Sequence, residues 1–237
     1  MRLQKVVLEH YEVERNGEKF KFVIENLVTP EEMELAVQHM VTFFLPREPL
    51  CALTGLKDDP DSLDSICKLW RNCVIEGTGI GAYLLNNDGT KRKLVGVNMT
   101  SVSRIDEKDD ETYKGKIFNV ILQAIIDQTK ASNIYARYCV DEYLSALGLS
   151  VDSAYHGCKL GYKILESRAN LCKKLGVKVA GTVFTASASQ YLASKLGYEI
   201  LVDWDYKSFK VNEEYPFYKM WEVRKEKTSK MMAYKFQ

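Results

Sequence analysis

The segment from Leu147 to Gly161 constrains the fold more than any other part of the sequence. Residues 143–151 form a short apolar run with one glycine, which predicts a buried strand. From Cys158 onward, apolar and small residues recur at helical spacing, namely Gly161, Ile164, Leu165, Ala169 and Cys172. The turn 152–157 joins the two elements. The fold must therefore accommodate a buried strand that leads directly into a helix.

This strand, turn and helix predict an anion site. A strand that enters a helix through a glycine-containing turn directs several free backbone N–H groups towards one point, and the helix dipole adds positive potential. Lys159 is predicted to lie in the first helical turn, where the dipole disfavours a cation unless a phosphate is bound. The alternative is an ordinary connection in which Lys159 points into solvent.

Glu48 is the second residue with a chemically suggestive setting. It lies between Pro46 and Pro49, directly after an apolar helix end that contains Phe43 and Phe44. A carboxylate held among apolar residues is partly desolvated, which suits a general base. The alternative is a solvated loop glutamate with no catalytic role.

Composition excludes several classes of protein. The 237 residues fit one domain, and the net charge of +1 argues against a nucleic-acid or acidic-membrane partner. The six cysteines form no CxxC pair and no zinc spacing with the three histidines, so we expect no metal and free thiols in a reducing compartment. No apolar run approaches the ~20 residues of a membrane span, so we expect a cytoplasmic protein.

The first half of the chain predicts strands and helices with recognisable ends. Phe20 to Ile24 alternate as a first strand, and Thr29 to Glu32 form a capping box for a helix that ends near Leu45. Asp61 or Ser62 is predicted to cap a second helix. A hairpin follows, with strands 82–85 and 94–100, and then a third helix over 117–128. The charged run 106–111 is predicted to be a solvated loop.

The second half repeats the alternation of strand and helix. Residues 177–185 predict a strand, and Ser187 with Gln190 predicts a capping box for a helix that ends at Gly197. Residues 198–223 predict two strands around an aromatic loop, which either walls a pocket or packs in the core. Residues 225–237 are predicted to be frayed. The whole order predicts one α/β domain with a mixed sheet.

Two motifs resemble known families. Leu149-Ser150-Val151 followed by His156-Gly157-Cys158-Lys159-Leu160-Gly161 resembles the acyl-CoA pyrophosphate loop of GCN5-related N-acetyltransferases, usually written Arg/Gln-x-x-Gly-x-Gly/Ala. Here His156 replaces Arg or Gln, and Lys159 replaces a common glycine. Phe43-Phe44-Leu-Pro-Arg-Glu48-Pro-Leu50 resembles the Phe-Phe-x-x-Glu-Pro-Leu motif of insect arylalkylamine N-acetyltransferases, with about one extra residue and with Arg47 in place of an acidic neighbour.

This resemblance implies a fold. It implies a single acetyltransferase domain over residues 1–237, with a core of about 20–223 and a mixed, mostly antiparallel sheet flanked by helices. It also implies that the protein is a monomer and transfers an acetyl group from acetyl-CoA to a small primary amine, an arylalkylamine. Neither a metal nor a covalent enzyme intermediate is expected.

The resemblance also assigns roles to residues. Glu48 is the implied catalytic base. The implied cofactor-binding residues are Leu149, Ser150, Val151, His156, Gly157, Cys158, Lys159, Leu160 and Gly161. The backbone N–H of Val151, or of a neighbour at the strand end, would stabilise the oxyanion. The tyrosine that usually protonates the CoA thiolate is replaced by Ala193, and the insect subfamily instead has hydroxyl residues that fall on Thr185 and Ser189.

Two other functions fit the same sequence. The fold could acetylate a protein lysine or N-terminus, in which case an open peptide groove should replace an enclosed pocket. The departures at His156, Lys159 and Ala193 would also suit a non-catalytic protein that binds acyl-CoA or an amine.

Overall fold

The structure is a computed structural model that describes residues 2–107, 111–211, 213–223 and 226–236. Its strands are β1 Val7–Arg15, β2 Glu18–Asn26, β3 Ile80–Leu85, β4 Lys91–Arg104, β5 Glu142–Val151, β6 Val179–Phe184, β7 Glu199–Asp205 and β8 Thr228–Lys235. In the described residues they form one sheet in the order β1-β2-β3-β4-β5-β6-β8-β7. All neighbours are antiparallel except β5 and β6, which are parallel. The predicted mixed, mostly antiparallel α/β fold is confirmed.

Helices cover both faces of this sheet. They are α1 Pro30–His39, α2 Pro49–Thr54, α3 Pro60–Cys73, α4 Lys116–Ser132, α5 Ile134–Tyr138, α6 Leu160–Glu166, α7 Arg168–Leu175, α8 Ser187–Lys195 and α9 Tyr218–Val223. The apolar sides of α1 to α4 share one core cluster with one face of the sheet, whereas those of α6 to α8 share another with the opposite face. None of the described helices is long and apolar enough to cross a lipid bilayer.

Several predicted helix ends are confirmed. Thr29 and Glu32 form the reciprocal capping box of α1, and the helical path continues through a π-helical turn, Met40–Phe44, to its end at Leu45. The second helix begins earlier than predicted, because Asp59 is its N-cap and Pro60 occupies its first position. Ser62 instead accepts a hydrogen bond from the backbone N–H of Phe118 and so ties α3 to the start of α4.

The predictions for both ends of the chain need correction. β1 was not predicted and lies outside the expected core of about 20–223, although Asn16-Gly17, with both residues at positive φ, is a strong hairpin signal. The predicted frayed tail is wrong as well. β8 lies between β6 and β7, and its Met231, Met232 and Ala233 are fully buried. Residues 225 and 237 of that tail lie outside the described residues.

The aromatic segment before β8 also differs from its prediction. Residues 198–223 contain one strand, β7, and then the short helix α9 rather than a second strand. Tyr206, Phe209 and Phe217 are buried and pack ring against ring, as the core alternative required. Of the predicted solvated loop 106–111, residues 108–110 lie outside the described residues, and the described ones are exposed.

Candidate active site

The parallel pair β5 and β6 opens into a cleft. The two strands are in register at Leu144 and Ala180 alone among the described residues, although β5 continues to Val151 and β6 to Phe184. A cavity of about 1160 Å³ occupies the space where they diverge. This volume exceeds that of a usual single-ligand pocket, so two substrates can meet in it.

A β-bulge shapes the side of the cleft formed by β5. Leu147 and Gly148 together face one residue of β4, and both carbonyls are held by buried side chains. Trp70 Nε1 donates to the Leu147 carbonyl at 2.8 Å, and Asn98 Nδ2 donates to the Gly148 carbonyl at 2.7 Å. Gly148 has φ +118°, and an added Cβ would lie 2.6 Å from Met40 Cε, so glycine is required here.

Two backbone N–H groups of β5 point into the cleft. The N–H of Asp152 donates to the Val95 carbonyl on β4 at 2.9 Å. Successive residues of a strand direct their N–H groups to opposite sides, so those of Val151 and Leu149 point away from β4 and towards the opening. Donors at these positions can hold a carbonyl oxygen or the amide-bearing arm of a cofactor.

The turn after β5 is held from several directions. The Asp152 carboxylate accepts a hydrogen bond from the N–H of Ala154 and pairs with Lys93 at 2.6 Å. This pairing with Lys93, together with the Ala154 N–H, outweighs burial and keeps the pKa of Asp152 below its usual value. From β1, Arg15 Nη1 donates to the carbonyls of Ala154 and His156, each at 2.7 Å. Sequence reasoning missed Arg15 because it missed β1.

The positive charge at this turn comes from side chains more than from a helix. Lys159 is the N-cap of α6, in the left-handed conformation at φ 57°, and not a residue of the first helical turn as predicted. Since α6 has seven residues, its dipole contributes little. Arg47, Lys159 and Lys195 line the cavity, and Arg47 Nη1 lies 3.5 Å from His156 Nε2. These groups make the mouth of the cavity suitable for an anion.

The predicted cofactor residues fall at this end of the cavity with one exception. Those that line it are Leu149, Ser150, Val151, His156, Gly157, Lys159, Leu160 and Gly161. Cys158 is fully buried outside the cavity lining, and its carbonyl accepts a hydrogen bond from Tyr11 at 2.9 Å. Cys158 therefore supports the turn from behind.

Glu48 lies across the cavity and is held by two donors. It is the N-cap of α2, where its Oε2 accepts a hydrogen bond from the N–H of Cys51 at 2.7 Å, and Pro49 occupies the first helical position. Its Oε1 accepts from Thr185 Oγ1 at 2.6 Å. The carboxylate is half-buried and lines the cavity. It is therefore fixed relative to the end of β6 rather than mobile in a loop.

The neighbours of Glu48 are neutral acids. Burial, reinforced by the charge of Glu48, raises the pKa of the Cys51 thiol well above its usual value. The same two causes raise the pKa of Tyr206, whose hydroxyl donates to the Thr185 carbonyl at 3.0 Å. Both groups keep their protons near neutral pH, so Glu48 is the group in this cluster that can accept one.

The far end of the cavity is apolar. Part of the apolar face of α3 and part of that of α4 line the cavity. Its walls there are Phe43, Phe44, Ile66, Leu69, Trp70, Phe118, Ile121, Leu122 and Ile125. Glu48 and Glu226 are the carboxylates among the described lining residues. This end suits an apolar or aromatic group next to Glu48.

Solved structures identify this arrangement. The chain matches the putative arylalkylamine N-acetyltransferase 7 of the yellow fever mosquito Aedes aegypti with a TM-score of 0.88 and 26% sequence identity, over 98% of this chain and 95% of that one. The chain has the insect arylalkylamine N-acetyltransferase fold. The resemblance derived from the two sequence motifs is thereby confirmed.

Other structures share this acetyltransferase fold at lower identity. Arylalkylamine N-acetyltransferase 2 of Aedes aegypti matches with a TM-score of 0.77 and 19% identity, over 91% of this chain and 99% of that one. A Drosophila melanogaster polyamine N-acetyltransferase that forms N-acetylagmatine matches with a TM-score of 0.73 and 19% identity, over 91% and 100%. No protein-family model and no curated protein sequence matches the chain.

Within the acetyltransferase fold, the candidate thiolate acids differ in their surroundings. Ala193 is fully buried in the core. Thr185 and Ser189 both line the cavity, but Thr185 donates to Glu48 whereas Ser189 Oγ donates to the Ala186 carbonyl at 2.9 Å.

The start of α8 differs from its prediction. The predicted capping box at Ser187 is wrong, because Ala186 is the N-cap of α8 and makes no side-chain hydrogen bond. Gln190 Nε2 instead donates to the carbonyls of Phe184 and Thr228.

Replacing Lys159 with glycine should separate its charge from its backbone conformation. Because Lys159 is left-handed, glycine should stabilise the fold by up to about 1 kcal/mol. If the ammonium contacts a cofactor phosphate, the same variant should bind CoA more weakly and with a flatter salt dependence. Calorimetric titration of CoA at two salt concentrations measures the affinity and its salt dependence.

Lys159→Asn is the matched control, since asparagine tolerates the left-handed region and carries no charge. It should lose CoA affinity as the glycine variant does. Equal or tighter CoA binding by both variants would mean that Lys159 is a bystander.

Proposed function

We propose that the protein is an acetyl-CoA-dependent N-acetyltransferase that acetylates a small primary amine of the arylalkylamine class, as a single domain over residues 1–237. The observation that carries the proposal is the position of Glu48. It is held by Cys51 and Thr185 in a cavity that eight of the nine predicted cofactor residues also line. A carboxylate fixed at this point, beside the cofactor residues, can accept a proton from a bound amine.

The residues of the cleft fit acetyl-CoA. The cations at its mouth, Arg47 and Lys159, complement the diphosphate, and His156 adds a further polar contact. The N–H groups of Leu149 and Val151 suit the amide-bearing pantetheine arm and the thioester carbonyl. Glu48 lines the same cavity as these cations, so the reactive end of a bound cofactor can reach the base.

The proposed mechanism assigns each proton. Glu48 removes one proton from the substrate ammonium and passes it to solvent, because only the neutral amine is nucleophilic. The amine nitrogen attacks the thioester carbonyl carbon, and the N–H of Val151, or of Leu149 on the same side of β5, stabilises the oxyanion. As the C–S bond breaks, a second proton from the amine nitrogen moves to Glu48. Thr185 then gives its hydroxyl proton to the thiolate and recovers one from Glu48.

The apolar end of the cavity supports an aromatic amine. Phe44, Trp70 and Phe118 line it together with aliphatic residues. Agmatine or a polyamine would bring a second cation, and its partner would have to be Glu226, the other carboxylate of the described lining. The apolar lining therefore supports the arylalkylamine class, whereas the agmatine alternative depends on Glu226.

Free-CoA release with a panel of amines tests the proposal. A phenylethylamine-type substrate should give the highest kcat/KM, agmatine a lower one, and a lysine peptide little or none. Preference for agmatine that disappears in Glu226→Gln would assign the polyamine class instead. Acetyl-CoA binding without CoA release by any amine would indicate a non-catalytic binder. Monomeric state and cytoplasmic localisation stay predictions.

Thr185→Val should lower kcat by roughly 10-fold to 10²-fold, because it removes the hydroxyl that contacts Glu48 and leaves the base less well oriented. Thr185→Ser keeps a hydroxyl and should retain most of the activity. Ser189→Ala, which breaks a hydrogen bond to a helix carbonyl, should cost less. Steady-state kinetics with acetyl-CoA in excess measure all three. A larger loss in the Ser189 variant would transfer the role of thiolate acid to Ser189.

A further inference from the structure

A buried arginine lies behind the cofactor cleft. Arg168, the first residue of α7, is 1% exposed and belongs to the cavity lining. Its Nε donates to Asn98 Oδ1 at 2.8 Å, and its Nη1 has no hydrogen-bond partner among the described residues. The partner of Nε is thus a neutral amide rather than a carboxylate.

Burying the charge of Arg168 destabilises the fold. A buried cation with no paired carboxylate among the described residues loses its hydration, and an apolar residue of similar size is often as stable or more stable. The charge of Arg168 also acts on its surroundings. It opposes the burial that raises the pKa of Cys172 to about 12 and the pKa of Tyr198 above its usual value. A charge kept at this cost at the edge of a reaction cavity indicates a function.

Asn98 connects this charge to the β-bulge. While its Oδ1 accepts from Arg168, its Nδ2 donates to the Gly148 carbonyl at 2.7 Å. Asn98 is fully buried, so water does not compete for either bond. The two bonds leave one orientation for the amide, with its oxygen towards the cation and its nitrogen towards Gly148.

This chain of hydrogen bonds ends at the cleft. The peptide group between Gly148 and Leu149 is planar and trans, so its carbonyl and its N–H point in opposite directions. The carbonyl faces Asn98, and the N–H of Leu149 faces the opening between β5 and β6. Hydrogen bonds in series polarise one another, and the effect is larger at low dielectric. A donor on the carbonyl therefore makes this N–H a stronger donor.

We propose that Arg168 is a positioning residue for acyl transfer, which acts through Asn98 to polarise the Gly148–Leu149 peptide group so that the N–H of Leu149 binds the thioester oxygen more strongly as it becomes an oxyanion. The inference rests on the proposed function. The inference adds a source of positive charge behind the oxyanion site. That source, Arg168, does not itself contact the thioester.

Two variants remove the charge in different ways. Arg168→Met keeps the length of the side chain and its apolar packing. Asn98→Asp keeps an acceptor for Arg168 but neutralises the charge and removes the donor to the Gly148 carbonyl. For each, kcat should fall roughly 10-fold to 10²-fold, less than for outright loss of an oxyanion donor, while acetyl-CoA affinity changes less than about threefold. Arg168→Lys, which retains the charge, should recover part of kcat.

Isotope-edited infrared spectroscopy of bound acetyl-CoA, without amine, gives a readout that a structural role would not move. In the wild type the thioester carbonyl stretch should shift to lower frequency than in free acetyl-CoA, and both variants should lose most of that shift. Asn26→Asp is the matched control, because Asn26 is equally buried but lies at the end of β2, outside the cavity lining. It should keep the wild-type shift and kcat even if it lowers thermal stability.

The outcomes separate the inference from the proposed function. A wild type that binds no acetyl-CoA and releases no CoA would refute the function. An active wild type whose folded variants keep both kcat and the carbonyl shift would refute the inference alone, as would variants that lose kcat with an unchanged shift. If Arg168→Met does not fold, Asn98→Asp decides by the same two measurements.

Discussion

Glu48→Gln should lower kcat by roughly 10²–10⁴, the usual contribution of a positioned general base, while acetyl-CoA affinity stays nearly unchanged. Primary amines are protonated near pH 7, so the reaction needs a group that removes the proton. Glutamine cannot do so. The wild type should also lose activity on the acid side of its kcat/KM profile against pH, and the variant should lack that limb.

The fold should tolerate this change. Glutamine can still accept the Cys51 N–H with its oxygen and keep the cap of α2, and its amide nitrogen can donate to Thr185 Oγ1 in place of the present bond. Loss of activity would thus come from loss of the catalytic base and not from unfolding. Thermal denaturation of the variant can verify that it is folded.

Glu226→Gln is the matched control, because it neutralises the other carboxylate of the described cavity lining. It should leave kcat with an arylalkylamine close to that of the wild type. Full activity of Glu48→Gln across the pH range would mean that the base is elsewhere, with His156 the next residue to test. Loss of acetyl-CoA binding instead would assign Glu48 a structural role.

Gly157→Asp should weaken acetyl-CoA binding by well over 10-fold. Gly157 lies in the turn after β5 at φ +87°, and its added Cβ would meet only Arg15 Cδ, at 3.4 Å. Space is therefore available, but a carboxylate there would face the predicted diphosphate and offset the cations around it. Calorimetric titration of acetyl-CoA measures the loss, which should shrink at high salt.

Gly157→Asn separates charge from conformation. Any side chain at this φ carries strain, and asparagine carries the least, with nearly the volume of aspartate. The asparagine variant should bind acetyl-CoA at least 10-fold more tightly than the aspartate variant. Equal affinity of the two would trace the loss to backbone strain, and wild-type affinity of a folded aspartate variant would move the diphosphate away from this turn.

Local patterns predicted the elements that carry the proposed chemistry. The strand before the turn, the hairpin of β3 and β4, and the capping box of α1 each depend on neighbouring residues, so the sequence contains the whole signal. Glu48 was singled out for the same reason, since Pro46 and Pro49 restrict the chain on both sides. Its bond to Thr185 spans 137 positions of sequence and needed the structure.

The missed features depend on contacts that are distant in sequence. The polar composition of residues 225–237 predicts a frayed tail, and only the insertion of β8 between β6 and β7 explains why its apolar residues are buried. The faces of α3 and α4 look the same whether they meet a core or a cavity. Arg15 bonds to the turn after β5 and Arg168 to Asn98 on β4, and periodicity does not reveal contacts so far away along the chain.

The divergence of β5 from β6 has a consequence for how the protein resists unfolding. Across the sheet, cooperativity depends on continuous ladders of backbone hydrogen bonds, and this ladder is interrupted between a five-stranded block and a three-stranded one. A ligand lying in the cleft touches both blocks and favours the state in which they are held together. The binding free energy therefore stabilises the sheet where its hydrogen-bond ladder is interrupted. Cofactor binding should slow amide hydrogen exchange in β5 and β6 more than in any other strand.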